Sequence, residues 1–440
     1  MVVINCGGHK ILVFLSCEED NMSNFVVKRQ FQGLLSTGIA ATVICVCAAL
    51  IFWPLWGLLS KSIITGLAGS GIQAVEPKVA AKYIANFAEG TFFFMVINSW
   101  VWQILLFGGY GKNHLTNRQP YMGIWYTVIS LISGGLFLFL ITGFIGIWWK
   151  PFNLFVMLMP KTAEEVHLAI EGWELITFYT LAVLMIQIPA AALFHKWPFA
   201  GNIKAPWDGF GVMMTSTALA FIVWVATVMP SLAKLQLGGH DIFTQPFGSW
   251  AAYLAFAQAF IWWFLIPAEG GEHYPMKLFA KKQPYMGFVG LLIALIGGYV
   301  TPMILRPIVG PLNLLPGAPV DIVITSLEVS VILSTLLWHH LYDDYPTAQT
   351  VPNQASRVLI RIAIWVIVGA VWGVIWLKTF KMLPFGANDL GLGYPAAGIL
   401  AGQFVIIMMA AILNTYFDKW PLVRKIPEVE EESVNKKIQA

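Results

Sequence analysis

Ten stretches of about twenty or more largely apolar residues, separated by charged or Pro/Gly-rich breaks, dominate this chain, and each has the length an α-helix needs to cross a bilayer. They cover residues 34–59, 83–109, 121–148, 165–194, 209–231, 247–267, 285–308, 320–341, 357–377 and 394–416. Barrel strands would alternate polar and apolar residues over roughly ten positions, and no such pattern is present. Charged residues make up only 11% of the 440, against about 25% in ordinary soluble domains. The expected fold class is therefore an all-α polytopic membrane protein of about ten transmembrane helices.

Positively charged loops stay in the cytoplasm. Of the 26 Lys and Arg, 17 fall on the side that holds the N-terminus and 9 on the other. Both termini are expected in the cytoplasm, at a cell (inner) membrane. Residues 1–21 lack the basic start and cleavage site of a signal peptide, and Met22 is an equally natural start, so they are expected to be an unstructured extension. The acidic, polar tail Glu428–Ala440 reads as a solvated end. A net charge of +3 without a dense basic block disfavours nucleic acid. Cys6, Cys17, Cys45 and Cys47 form neither a disulfide framework nor a zinc ribbon.

An internal repeat is written in the loops. Gln119-Pro120-Tyr121-Met122-Gly123 recurs as Gln283-Pro284-Tyr285-Met286-Gly287, each time opening an apolar span. The recurrence maps spans 2–5 onto spans 6–9, and an even number of spans per unit gives two parallel four-helix repeats related by an axis along the membrane normal. The expected organisation is 1–33 N-terminal extension, 34–82 first span and outer loop, 83–246 repeat one, 247–393 repeat two, 394–421 tenth span and 422–440 tail.

A second signal closes four even-numbered spans: His195-Lys196-Trp197-Pro198, Glu272-His273-Tyr274-Pro275, Asp343-Asp344-Tyr345-Pro346 and Asp418-Lys419-Trp420-Pro421. Proline ends the helical ladder and the aromatic anchors at the headgroups, but neither explains the polar pair before them. Seventeen or eighteen residues before these prolines stand Gln258, Glu328 and Gln403, with Thr180 at the corresponding place in span 4.

Carboxylates inside a span cost about 2.5–3.5 kcal/mol each on insertion scales, which marks Glu89, Glu171, Glu174 and Glu328 as candidates for a polar path. His167, Glu171 and Glu174 are spaced by four and three, so they share a helical face that is able to relay protons or hold a cation. The stretch His167-Leu-Ala-Ile-Glu171-Gly-Trp-Glu174-Leu175 resembles, displaced by one position, a signature of the membrane nitric-oxide reductases of the haem-copper oxidase family. That family implies two haems and a non-haem metal held by histidines on several helices. The eight histidines here do not supply that set, and the resemblance stops at these nine residues.

On the expected cytoplasmic side His339, His340, Asp343 and Asp344 form the densest cluster, with His195 and His273 on neighbouring loops. Imidazole and carboxylate ligands suit Cu, Fe, Zn or Mn. No HExxH, Walker A, dinucleotide glycine motif or GxSxG elbow is present, which removes ATP-driven pumping and the familiar soluble chemistries. Two functions fit. The first is a carrier or channel for a small solute, ion- or proton-coupled, with Glu89, Glu171, Glu174, Glu328, His167, Gln258 and Gln403 along the path. The second is a membrane-embedded metal-dependent oxidoreductase, or an integral subunit of a redox complex, with the His/Asp cluster as its metal site. The expected partners are the bilayer, a small molecule or ion, and further copies or subunits in the membrane.

Overall fold

A computed structural model describes residues 2–6, 9–13, 25–31, 33–147, 149–228, 236–237, 240–241, 247–383 and 395–427. Ten long helical segments stand where the ten apolar runs lie. We name them α1 (Leu34–Leu67), α2 (residues 77–106), α3 (Tyr121–Ile145), α4 (Ala163–Ala192), α5 (Trp207–Val228), α6 (Trp250–Ala268), α7 (Tyr285–Val309), α8 (Val320–Tyr342), α9 (Gln354–Thr379) and α10 (Pro395–Thr415). Nine of them are long and apolar enough to cross a membrane, among the described residues. The tenth, α2, is α-helical over Pro77–Phe92 and then carries two π-helical stretches, Phe93–Asn98 and Val101–Leu106. The chain is a multi-pass integral membrane protein.

Local chemistry sets several boundaries. Thr162, Ser249 and Asn353 accept the backbone N–H of Glu165, Ala252 and Ser356 at 3.2, 3.1 and 2.9 Å, capping α4, α6 and α9. Proline does not break α4 or α7, which run through Pro189 and through Pro302 and Pro307. Residues 1–21 are not uniformly unstructured, as the sequence suggested. β1 (Val2–Cys6) pairs antiparallel with β2 (His9–Val13), two β-branched runs flanking Gly7-Gly8, a hairpin sequence signal. The strands β3 (Phe25–Arg29) and β6 (Val423–Pro427) also pair, which brings the two ends of the described chain to one face. β4 (Gln236–Leu237) and β5 (His240–Asp241) pair between α5 and α6, and the tail Glu428–Ala440 lies outside the described residues.

The helices sort into two layers. In their most apolar windows α4, α6, α8 and α10 bury 61–72% of residues, whereas α1, α3, α5, α7 and α9 bury 22–28%. Even-numbered helices form an inner ring, each touching the next. Phe87 of α2 meets Trp173 of α4 edge-on at 5.0 Å between ring centroids, and Phe178 of α4 meets Trp250 of α6 at 4.6 Å. Trp262 of α6 donates to Thr335 of α8 (3.2 Å), and Ser330 of α8 donates to Gln403 of α10 (2.8 Å). Trp100 of α2 donates to Thr415 of α10 (3.0 Å), closing the ring. Odd-numbered helices turn their apolar surfaces outward, as Ile132, Leu136 and Leu140 of α3 do, which is the surface that lipid covers.

Candidate functional site

Each inner helix ends in the same backbone geometry on the face that carries β3 and β6. Two consecutive residues take left-handed φ values: His195 (50°) and Lys196 (60°), Glu272 (53°) and His273 (63°), Asp343 (49°) and Asp344 (54°), Asp418 (51°) and Lys419 (61°). The second of each pair donates its N–H six residues back, to Ala190, Pro267, Trp338 and Leu413, and the following aromatic donates three residues back. The end of α2 does the same with Gly108 and Gly109, whose N–H reaches Gln103, followed by Tyr110. This fifth copy is Gly-Gly-Tyr-Gly, and the four-residue pattern read from the sequence misses it because glycine replaces both the polar pair and the proline. Left-handed backbone disfavours non-glycine residues by about 1–2 kcal/mol each, so tertiary contacts must hold these ends.

The polar pairs make those contacts. Arg357 of α9 clamps Glu272 with two bonds of 2.7 and 2.5 Å, and Arg361 adds a third at 3.2 Å. Arg361 also donates to the carbonyls of Gly270 and Pro346. Asp343 pairs with Lys419 and with Arg29, the latter at 3.2 Å. Asp418 receives Lys112 (3.1 Å) and Gln119 (3.0 Å), and Lys196 faces Asp208 at 3.8 Å. The Gln-Pro-Tyr-Met-Gly motif has one job in both copies. Gln119 and Gln283 accept the N–H of Gly123 and Gly287 and donate to the carbonyls of Tyr416 (2.9 Å) and Leu193 (2.6 Å) at inner-helix ends. The motif glycines leave room for the Phe417 and Phe194 rings, which a Cβ would meet at 2.5 Å.

The six residues expected to hold a metal occupy separate settings. His339 places Nε2 on Glu269 (2.7 Å) and Nδ1 on Asp344 (2.9 Å), so both ring nitrogens are engaged. His340 turns to Asn414 (3.0 Å) and the Trp100 ring, Asp343 is held by cations, and His195 packs against His273 at 4.7 Å between ring centroids. Among the described residues no group of three or more His, Cys, Asp or Glu is arranged to hold a metal. The sextet does not fit one ion. Arg357 and Arg361, the partners of Glu272, went unassigned in the sequence, although basic residues four apart at the start of α9 share a face.

Electrostatics at this face follow from burial and neighbours. The hydrogen bond from Arg357 is the chief reason the Glu272 carboxyl lies below its ordinary range. Burial lowers both His195 and His273, the latter to about 4, with the Lys277 charge and, for His273, the His195 ring adding to it. Both imidazoles are neutral at pH 7.

A second set of residues lies inside the ring. Glu328 of α8 is 5% exposed, and neither carboxyl oxygen has a hydrogen-bond partner among the described residues. Thr180 of α4 (Oγ1), Gln258 of α6 (Oε1) and Asn98 of α2 (both amide atoms) are likewise buried and unpartnered. Thr180, Glu328 and Gln403 stand fourteen residues before Phe194, Tyr342 and Phe417, and Gln258 thirteen before Gly271. At 1.5 Å per residue these groups share a level about 20 Å from the helix ends. Gln403 differs from the others: it accepts from Ser330 and donates to Ser326 (3.1 Å), so it serves packing between α8 and α10. Asn98 closes the first π-helical stretch of α2, and such irregular turns recur at functional sites.

No known protein family matches the chain, and no curated protein or solved structure is significantly similar to it.

The remaining carboxylates gather towards the opposite face. Glu174 of α4 lies 3.9 Å from Lys82 of α2, and Glu89, half-buried, stands beside it. Glu171 is half-buried one turn earlier, and His167 is exposed. Arg306 of α7 pairs with Asp321 of α8 at 2.7 Å, two turns before Glu328 on the same helix.

Proposed function

We propose that this protein is a carrier or channel for a small solute, coupled to an ion or to protons, with the path running through the inner ring and Glu328 as its membrane-embedded carboxyl. The observation that carries this reading is the layer formed by the Glu328 carboxyl, the Gln258 Oε1 and the Thr180 hydroxyl, which are buried and have no hydrogen-bond partner among the described residues. A buried polar group without a bond costs about 1–3 kcal/mol on mutational scales, and a carboxylate costs more. Chains retain such groups inside membranes where they serve ions, protons or substrates. Glu89 and Glu174 with Lys82 supply a polar entrance on one face, and the Lys/Arg distribution supports a cytoplasmic position for the terminus-bearing face.

The recurring helix ends favour a unit finer than a four-helix repeat. An outer helix followed by an inner one is a pair, five pairs close the ring, and the offset between the two Gln-Pro-Tyr-Met-Gly motifs equals two pairs. Polar residues at one depth of a pseudo-fivefold ring are what a central path requires.

The test is proton movement in liposomes that hold a trapped pH-sensitive dye, challenged with a panel of inorganic ions and small metabolites under an imposed potential. Wild-type protein is expected to acidify or alkalinise the lumen with at least one of them. Glu328→Gln should remove that signal at least tenfold while the purified variant stays monodisperse. Unchanged flux in Glu328→Gln would remove this residue from the path.

A further inference from the structure

Between the end of α4 and the start of α7 the terminus-bearing face holds a cleft of about 440 Å³, lined by His195, Lys277, Lys281, Gln283 and Met286. This is within the usual range for small-molecule sites. It is separate from the Glu328 layer, and the proposal below stands without the transport reading. Its charge is one-sided: no carboxylate lines it, and neither Lys277 nor Lys281 has an ion-pair partner among the described residues. The Gln283 amide is occupied by the Leu193 carbonyl and the Gly287 N–H, which leaves two ammonium groups and the exposed His195 edge as donors. Behind His195, the buried Nδ1 of His273 has no hydrogen-bond partner among the described residues.

The rim is apolar. The short helix Met276–Phe279 and the start of α7 present Leu278, Phe279 and Tyr285, which are 65%, 72% and 70% exposed. Cations backed by exposed apolar and aromatic side chains at the level where helices leave the membrane match an amphiphile with an anionic head. A free inorganic anion would need the cations alone. We propose that this cleft binds the phosphate headgroup of an anionic phospholipid, with Lys277 and Lys281 on the phosphate oxygens, His195 as a hydrogen-bond donor, and Leu278, Phe279 and Tyr285 against the acyl chains.

Full-length protein in mild detergent, titrated with phosphatidylglycerol or phosphatidylcholine and read by native mass spectrometry and thermal shift, tests this. Phosphatidylglycerol is expected to remain bound and to raise the unfolding temperature, and phosphatidylcholine is not. The double variant K277Q/K281Q should bind phosphatidylglycerol about thirtyfold more weakly, at about a factor of five per basic residue. Two exposed lysines of the opposite face, removed as K78Q/K161Q, should leave it unchanged. Wild-type affinity in K277Q/K281Q, or equal loss in K78Q/K161Q, overturns the site. Inorganic phosphate that binds as tightly as the lipid overturns the lipid assignment in favour of a soluble anion.

Discussion

Arg361 offers the sharpest test of how the inner-helix ends are held. Its side chain is 4% exposed and serves three acceptors on two different loops: the Gly270 and Pro346 carbonyls and the Glu272 carboxylate. Arg361→Met keeps the aliphatic stem and removes the fork. Two backbone carbonyls then lose their donor, at about 1–3 kcal/mol each. Glu272 keeps Arg357 and is partly exposed, so it adds little to the loss. The expected destabilisation is about 3–5 kcal/mol, the range seen when one member of a buried charged network is removed. Arg361→Lys retains charge but not the planar geometry that spans both loops, and should recover less than half of the loss. Equilibrium unfolding in mixed micelles, followed by far-ultraviolet circular dichroism, measures both. A loss below about 1 kcal/mol for Arg361→Met, or full recovery by Arg361→Lys, would refute the view that this guanidinium ties the ends of α6 and α8 together.

Three further outcomes follow from the same geometry. Gly369→Ala should cost about 1–3 kcal/mol, because a Cβ there would stand 2.6 Å from the Val331 Cα. Gly143→Ala, with nothing within 4 Å, should be neutral or stabilising by about 0.5–1 kcal/mol in the same unfolding measurement. His273 stays neutral in the folded protein down to about pH 4, whereas its ordinary value is 6.5. The unfolded chain therefore takes up the proton first, so stability should fall from pH 6.5 towards 4 and be unaffected above that window, with a shallower fall in His273→Gln. Gln283→Leu and Gln119→Leu should each lose about 2 kcal/mol, from two bonds of about 1 kcal/mol, with Gln119→Leu the more costly through Asp418. Very different losses would argue against a common role for the two motifs.

Apolar run length placed eight of the ten helices within three residues at each end, because hydrophobic length is a property of each segment alone; α1 runs eight residues past its expected end and α2 begins six residues before its expected start. The polar pairs before the terminal aromatics were visible as residues without a reason. Their reason is a partner on a distant outer helix or loop, as with Glu272 and Arg357, and sequence periodicity carries no information on that. For the same reason His339 and His340 read as one metal cluster. On a helix, adjacent residues point about 100° apart, so one side chain meets Glu269 and Asp344 while the other meets Trp100 and Asn414. The hairpin of β1 and β2 is legible in Gly7-Gly8 between runs that carry β-branched residues.

Glu328 and Gln403 differ in how their polar atoms are met within one ring. They stand fourteen residues before Tyr342 and Phe417, the residues that precede the left-handed pairs, both are buried, and their helices touch. Gln403 is surrounded by hydroxyl and carbonyl groups that match its amide, so its presence is accounted for by the contact between α8 and α10. Ser326 and Ser330 stand two residues either side of Glu328, about 200° away around α8, so they face Gln403 and the backbone, and among the described residues no bond of theirs reaches the carboxyl. The Glu328 carboxyl, turned away from those hydroxyls and without a hydrogen-bond partner among the described residues, fits the proposed reading, in which its partner is a transported ion or proton that comes and goes.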